Sequence, residues 1–188
     1  MGLIERHLFN KLLKKKPYEN MILDIGCGNG QLSPFLRRYG LLIGCDINIP
    51  LLTQAKRRKS YENLICCDLH LGLPLQNKSI DLGVACEVIE DLKKTDGYKL
   101  LREMERVARH AILLSTPTHA KQTFTHRLHR SSWSAVEFKK LGFTIKGKGF
   151  KFYALTDKMP PIGLSLIHVI SWFVLFFADG LWAWKSTI

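Results

Sequence analysis

Apolar residues along the chain fall into two rhythms. Runs at 21–25, 41–45, 62–67 and 79–85 are short and rich in Ile, Leu, Val and Cys. That density suits strands buried on both faces of a parallel sheet. Between and around them, apolar positions recur at helical spacing. Leu3, Leu8, Leu12 and Leu13 predict a helix over 2–16, closed by Lys14, Lys15 and Lys16 and stopped at Pro17. Further helices are expected over 50–59, over 96–108 (Tyr98, Leu101, Met104, Val107) and over 133–141. A fifth strand falls within 109–116. A sixth spans 142–152, carrying Phe143, Ile145, Phe150 and Phe152, and 180–185 alternates like a seventh. Strands alternating with helices predict an α/β doubly wound sheet.

The most informative stretch is the turn after the first strand, Asp24-Ile25-Gly26-Cys27-Gly28-Asn29-Gly30. Glycines are required where the chain takes positive φ or where a ligand approaches the backbone. A helix following at Gln31 would add free N–H groups and a positive dipole end, which favour an anionic group such as a carboxylate. The dinucleotide fingerprint Gly-x-Gly-x-x-Gly is not matched, because the third glycine comes one residue early. Asp24 would repel a pyrophosphate and suits a cationic or amino-bearing ligand. Asp46 closes the second strand, about twenty residues beyond the loop, where an acid accepts hydrogen bonds from ribose hydroxyls. It also stands where it would cap the helix over 50–59. Asp68 follows the third strand and doubles as a turn former. Glu87 and Glu90 share one face if their segment is helical, a spacing compatible with paired acid/base carboxylates.

Asp24-x-Gly26-x-Gly28-x-Gly30 resembles motif I of the class I S-adenosylmethionine-dependent methyltransferases. Gly44-Cys45-Asp46-Ile47 resembles motif II. Cys86-Glu87-Val88-Ile89-Glu90-Asp91-Leu92 resembles the post-strand-four segment of small-molecule, type 11-like members, with Asp91 where those carry His. The resemblance implies a seven-stranded, mostly parallel, Rossmann-like sheet of order 3-2-1-4-5-7-6 with strand 7 antiparallel. It implies S-adenosyl-L-methionine as cofactor, contacted by Asp24, Gly26, Cys27, Gly28, Gly30, Asp46, Ile47, Asp68, Leu69 and Cys86. Asp68 would meet the adenine amino group and the next backbone N–H the ring. Methyl transfer from a sulfonium needs in-line positioning in a desolvated pocket and often no strong base. His119 and Glu87 are the candidate catalytic residues, and no metal is expected. The basic segment 119–132 reads as a loop in which each histidine taken alone is solvated.

Size and charge narrow the partners. At 188 residues and 46% hydrophobic, the chain suits one domain with a substantial core over 1–188. The formal net charge of +12 favours an anionic partner: nucleic acid, an acidic membrane or an acidic substrate. Five cysteines lack Cys-x-x-Cys spacing, so neither a disulfide framework nor a metal site is expected. The start of the chain lacks a secretory signal, which predicts a cytoplasmic body. Residues 160–178 form an apolar stretch long enough for a bilayer, but Ser165, His168 and Ser171 give it a polar stripe. It is expected as a helical insertion between strands 6 and 7, either lying at an anionic membrane surface or packing internally. A small-molecule or lipid-like acceptor leads; an RNA substrate and a non-catalytic cofactor-binding or membrane scaffold are the alternatives.

Overall fold

The computed structural model describes residues 13, 20–117, 129–148 and 180–187. Strands β1 (Met21–Ile25), β2 (Leu41–Asp46), β3 (Asn63–Cys66), β4 (Ile80–Cys86) and β5 (Ala108–Pro117) run parallel in one sheet. β6 (Thr144–Lys148) and β7 (Gly180–Ser186) complete it in the order β3-β2-β1-β4-β5-β7-β6. β7 lies between β5 and β6 and is antiparallel to both. Sheet order and the sense of strand 7 are those expected. Parallel strands must be joined by crossovers, and the helices that make them cover the sheet.

The strand alternation divides the core into two layers. Leu23, Ile25, Ile112 and Leu114 face one side, where Leu100, Leu101 and Met104 of α3 (Lys94–Val107) pack with Trp133 and Phe138. Ile22, Leu82, Val84 and Leu113 face the other, with Leu36, Tyr39, Trp182 and Trp184. Neighbouring residues of one strand thus serve opposite layers, as a period of two requires. The short α4 (Ala135–Lys140) opens on a capping box between Ser134 and Glu137. It stacks Phe138 on Trp133 at 5.4 Å. Gly97 makes room for that indole, since a Cβ there would lie 2.4 Å from its ring.

Two expected helices change. The one after the glycine loop is a four-residue turn, α1 (Ser33–Leu36), with no side-chain cap. It ends at Arg37, and the chain then passes Gly40, where a Cβ would sit 2.6 Å from the Asn20 carbonyl oxygen. So short an element contributes little dipole. α2 (Ile49–Arg57) is capped by Asn48, whose Oδ1 accepts from Leu51 N–H at 3.0 Å, and not by Asp46. The expected helices over 2–16 and 160–178 and the end of strand 6 lie outside the described residues. Among the described residues, no helix is long and apolar enough to cross a membrane.

Candidate active site

The glycine loop leaves β1 with Gly26, Gly28 and Gly30 at φ +65°, +53° and +77°. All three lie in the region that side chains disfavour. A Cβ on Gly26 would fall 2.4 Å from Val88 Cγ2, whereas one on Gly28 would meet nothing within 4 Å. The first glycine therefore permits close packing of the loop on the β4 segment, and the second leaves its backbone open. Cys27 N–H donates to the Cys45 carbonyl at 3.0 Å, tying the loop to β2.

Three carboxylates stand around this loop. Asp24 is buried and accepts a hydrogen bond from the Tyr61 hydroxyl at 2.7 Å. Burial pushes its pKa from 3.8 up to about 7; the Tyr61 bond opposes this, and the Asp46 charge adds to it. Asp46 spans the loop and the next turn: its Oδ2 accepts from Gly28 N–H and its Oδ1 from Asn48 N–H, both at 2.8 Å. Asp68 is half-buried and accepts from the His70 backbone N–H at 2.9 Å, a bond that holds its carboxyl below the ordinary value.

Two cavities meet at this point. The larger, about 850 Å³, is walled by Asp24, Gly26, Cys27 and Gly28 on one side and by Cys86, Glu87 and Ser115 on another. Leu32, Phe35, Leu51 and Trp182 form its apolar wall. The smaller, about 150 Å³, is walled by Asp46, Ile47, Asp68 and Leu69. Gly26 and Glu87 line both. Nine of the ten expected cofactor positions thus come to this one place. Gly30 lines neither cavity and packs towards Tyr61 and Arg58. His119 lies outside the described residues.

Glu87 has an unusual backbone for its type, with φ +56°. Its N–H donates to the Ser115 carbonyl at 2.9 Å, and its Oε1 accepts from Ser115 Oγ at 2.8 Å. Such a conformation costs of order 1–3 kcal/mol and persists only where neighbours fix it. Glu90 is buried nearby; neither carboxyl oxygen has a partner at full hydrogen-bond geometry, though the Thr116 hydroxyl lies close enough to favour its charged form. Burial first, then the Glu87 charge, push its pKa from 4.5 to about 8. His129 corrects the picture of a solvated basic loop. Its side chain is 9% exposed, and Nδ1 lies 3.3 Å from Asp91 Oδ1. The neighbouring N–H groups of Arg130 and Ser131 both donate to the Glu90 carbonyl and pin the segment there. The pattern along the chain gave no sign of Tyr61 or Trp182 as site residues.

Residues 23–113 match the family described as a methyltransferase domain. The malonyl-[acyl-carrier protein] O-methyltransferase of Pseudescherichia vulneris is 28% identical over 134 residues, covering 69% of this chain and 49% of that protein. The chain spans about half the length, or less, of the curated relatives it matches. Among solved structures, a SAM-dependent methyltransferase from Archaeoglobus fulgidus superposes with a TM-score of 0.70 at 15% identity, over 97% of this chain and 90% of that one. The magnesium protoporphyrin IX methyltransferase of Synechocystis PCC 6803, solved with SAM bound, gives 0.59 at 16% identity, over 96% and 77%. Residues 23–113 thus match a methyltransferase domain, and the sheet has the fold of the S-adenosylmethionine-dependent methyltransferases. The Synechocystis neighbour was solved with S-adenosylmethionine bound. The donor set fits that group: a buried carboxylate for a cation, a second acid on the adjoining cavity, and open space over Gly28.

Proposed function

We propose that the protein, as one domain over 1–188, transfers a methyl group to a small-molecule or lipid-like acceptor. The observation that carries this reading is the pair of joined cavities with Asp24 on one and Asp46 and Asp68 on the other. When bound, S-adenosylmethionine supplies an electrophilic methyl group on a sulfonium. Asp24 takes the methionine ammonium, where an added cation offsets the cost of its buried charge. Gly26, Cys27 and Gly28 let the methionine part approach the backbone, and Gly30 shapes the loop behind them. Asp46 and Ile47 hold the ribose; Asp68 and Leu69 hold the adenine, with Cys86 as a wall. Apolar residues of the larger cavity exclude water from the acceptor side. Glu87 and His119 are the candidate proton acceptors.

The test has two arms. Calorimetry with S-adenosylhomocysteine should give tight binding that weakens in Asp46→Asn. Labelled methyl transfer should then appear in small-metabolite or lipid fractions. Label entering only RNA would replace the acceptor class; no cofactor binding would leave a scaffold protein. The apolar segment 160–178, with upstream lysines, supports binding to an anionic membrane surface. Equal recovery in the supernatant with and without anionic vesicles would reject that part.

A further inference from the structure

We propose that His70 sets the base specificity of the smaller cavity: it holds the Asp68 carboxylate in one orientation, so that the site takes adenine and rejects hypoxanthine. The proposal rests on the functional reading above, in which Asp68 and Leu69 hold the adenine, and adds the residue that makes that contact selective. His70 stands beside Asp68 on the wall of this cavity. Its backbone N–H and its ring Nδ1 both reach one oxygen, Asp68 Oδ1, at 2.9 and 2.7 Å. An ionised carboxylate only accepts hydrogen bonds, so Nδ1 is the donor of the ring. On the far side of the imidazole, Nε2 faces Asp96 Oδ2 at 3.5 Å, and Lys99 Nζ lies 3.3 Å from the other Asp96 oxygen. Asp96 belongs to the first turn of α3, so the ring is held between the turn after β3 and a helix.

One donor would leave the carboxylate free to swing about that contact. A second donor, from a different direction, fixes its plane. Both bonds go to Oδ1, which leaves Oδ2 for a ligand among the described residues. The turn itself is closed by the Leu71 N–H, which donates to the Asp68 carbonyl at 3.0 Å. Adenine presents an exocyclic amino group to Oδ2 and an unprotonated ring nitrogen to the Leu69 N–H. Hypoxanthine reverses both groups: its exocyclic oxygen only accepts, and the ring nitrogen beside it carries a hydrogen. A carboxylate free to turn would accept from that ring N–H and tolerate the change. A fixed one meets the exocyclic oxygen with like polarity, and groups on both sides are left unpaired. Asp68 thus supplies affinity for the base, and the His70 lock supplies the choice between bases.

Calorimetry on the full chain with S-adenosylhomocysteine and S-inosylhomocysteine reads the lock as a ratio of affinities. The wild type should prefer the adenosyl ligand at least tenfold, the scale of one hydrogen bond to a charged group. His70→Ala should cut that preference at least threefold, chiefly by binding the inosyl ligand better. His70→Asn, whose side-chain amide can reach the same oxygen, should restore most of it. Asp96→Asn, which leaves His70 and Asp68 in place, should cut it by about twofold, the scale of an exposed charge pair. The His70 side chain is 42% exposed, so its variants should keep the unfolding curve of the wild type. A purely structural role for His70 would weaken both ligands alike. A ratio unchanged in His70→Ala therefore overturns the proposal, as does a wild type that binds the two ligands equally. Both of those results, with S-adenosylhomocysteine still bound, reject this proposal alone. A wild type that does not bind S-adenosylhomocysteine rejects the functional reading and this proposal with it.

Discussion

The β1–β2–β3 half of the sheet and the β5–β7–β6 half use opposite materials. The first ends in glycines at positive φ and in acids bound to backbone N–H groups, as Asp46 is to Gly28 and Asn48. The second is held by aromatic packing: Trp133 on Phe138 and Tyr98, Phe138 on Phe143, and Trp182 and Trp184 beneath the sheet. Polar groups drawn out of water need preformed partners, so the first half is rich in hydrogen bonds. The second half buries carbon surface away from water, which holds its elements together. Glu87 stands on the seam and lines both cavities.

The sharpest way to separate the halves is Trp133→Ala. Trp133 is 1% exposed, stacked on Phe138 and edge-on to Tyr98, so its removal should cost about 3–5 kcal/mol in denaturant unfolding. A loss under about 1 kcal/mol would show that the aromatic half is not what holds the fold. Next is Asp24→Asn, expected to weaken S-adenosylhomocysteine binding roughly ten- to hundredfold, the scale of a hydrogen bond to a charged group, while leaving unfolding nearly unchanged. The wild type should also bind more weakly with falling pH. Below about 7 Asp24 takes up a proton and offers the ammonium no charge. Affinity should drop about tenfold per pH unit there and level above it, and the slope should vanish in Asp24→Asn.

Glu90→Gln probes the seam. Glu90 holds its proton more tightly folded than unfolded. Its favourable contribution is therefore full below 4.5 and is lost as pH rises through about 8. The wild type should lose of order 1–3 kcal/mol across that window relative to the variant, by unfolding at several pH values. Parallel curves would mean the carboxyl is solvated. The smallest effect belongs to Ser134→Ala, which removes one arm of the α4 capping box and should cost about 1 kcal/mol with cofactor affinity unchanged.

The glycine-loop half was legible because its parts are local. Seven residues from Asp24 to Gly30 carry the strand end, the turn and the first acid. Asp46 and Asp68 each announce themselves by closing a strand. Tyr61 was not legible, since it meets Asp24 across 37 residues and nothing around it marks a partner. Nor was the locking of Glu87 by Ser115, 28 residues away on the next strand. His129 looked solvated in a basic run, and only the docking of its segment on the Glu90 carbonyl buried it.

Amino-acid order by itself determined the alternation of strands and helices, the glycine bend and the acids at the strand ends. Each follows from backbone freedom and from burial periods that act over a few residues. Tertiary structure alone decided which acid keeps its proton, which backbone is strained and which aromatic ring walls the larger cavity. Those outcomes depend on dielectric and on contacts between residues far apart in the chain, such as Trp182 of β7 standing opposite Ser115 of β5.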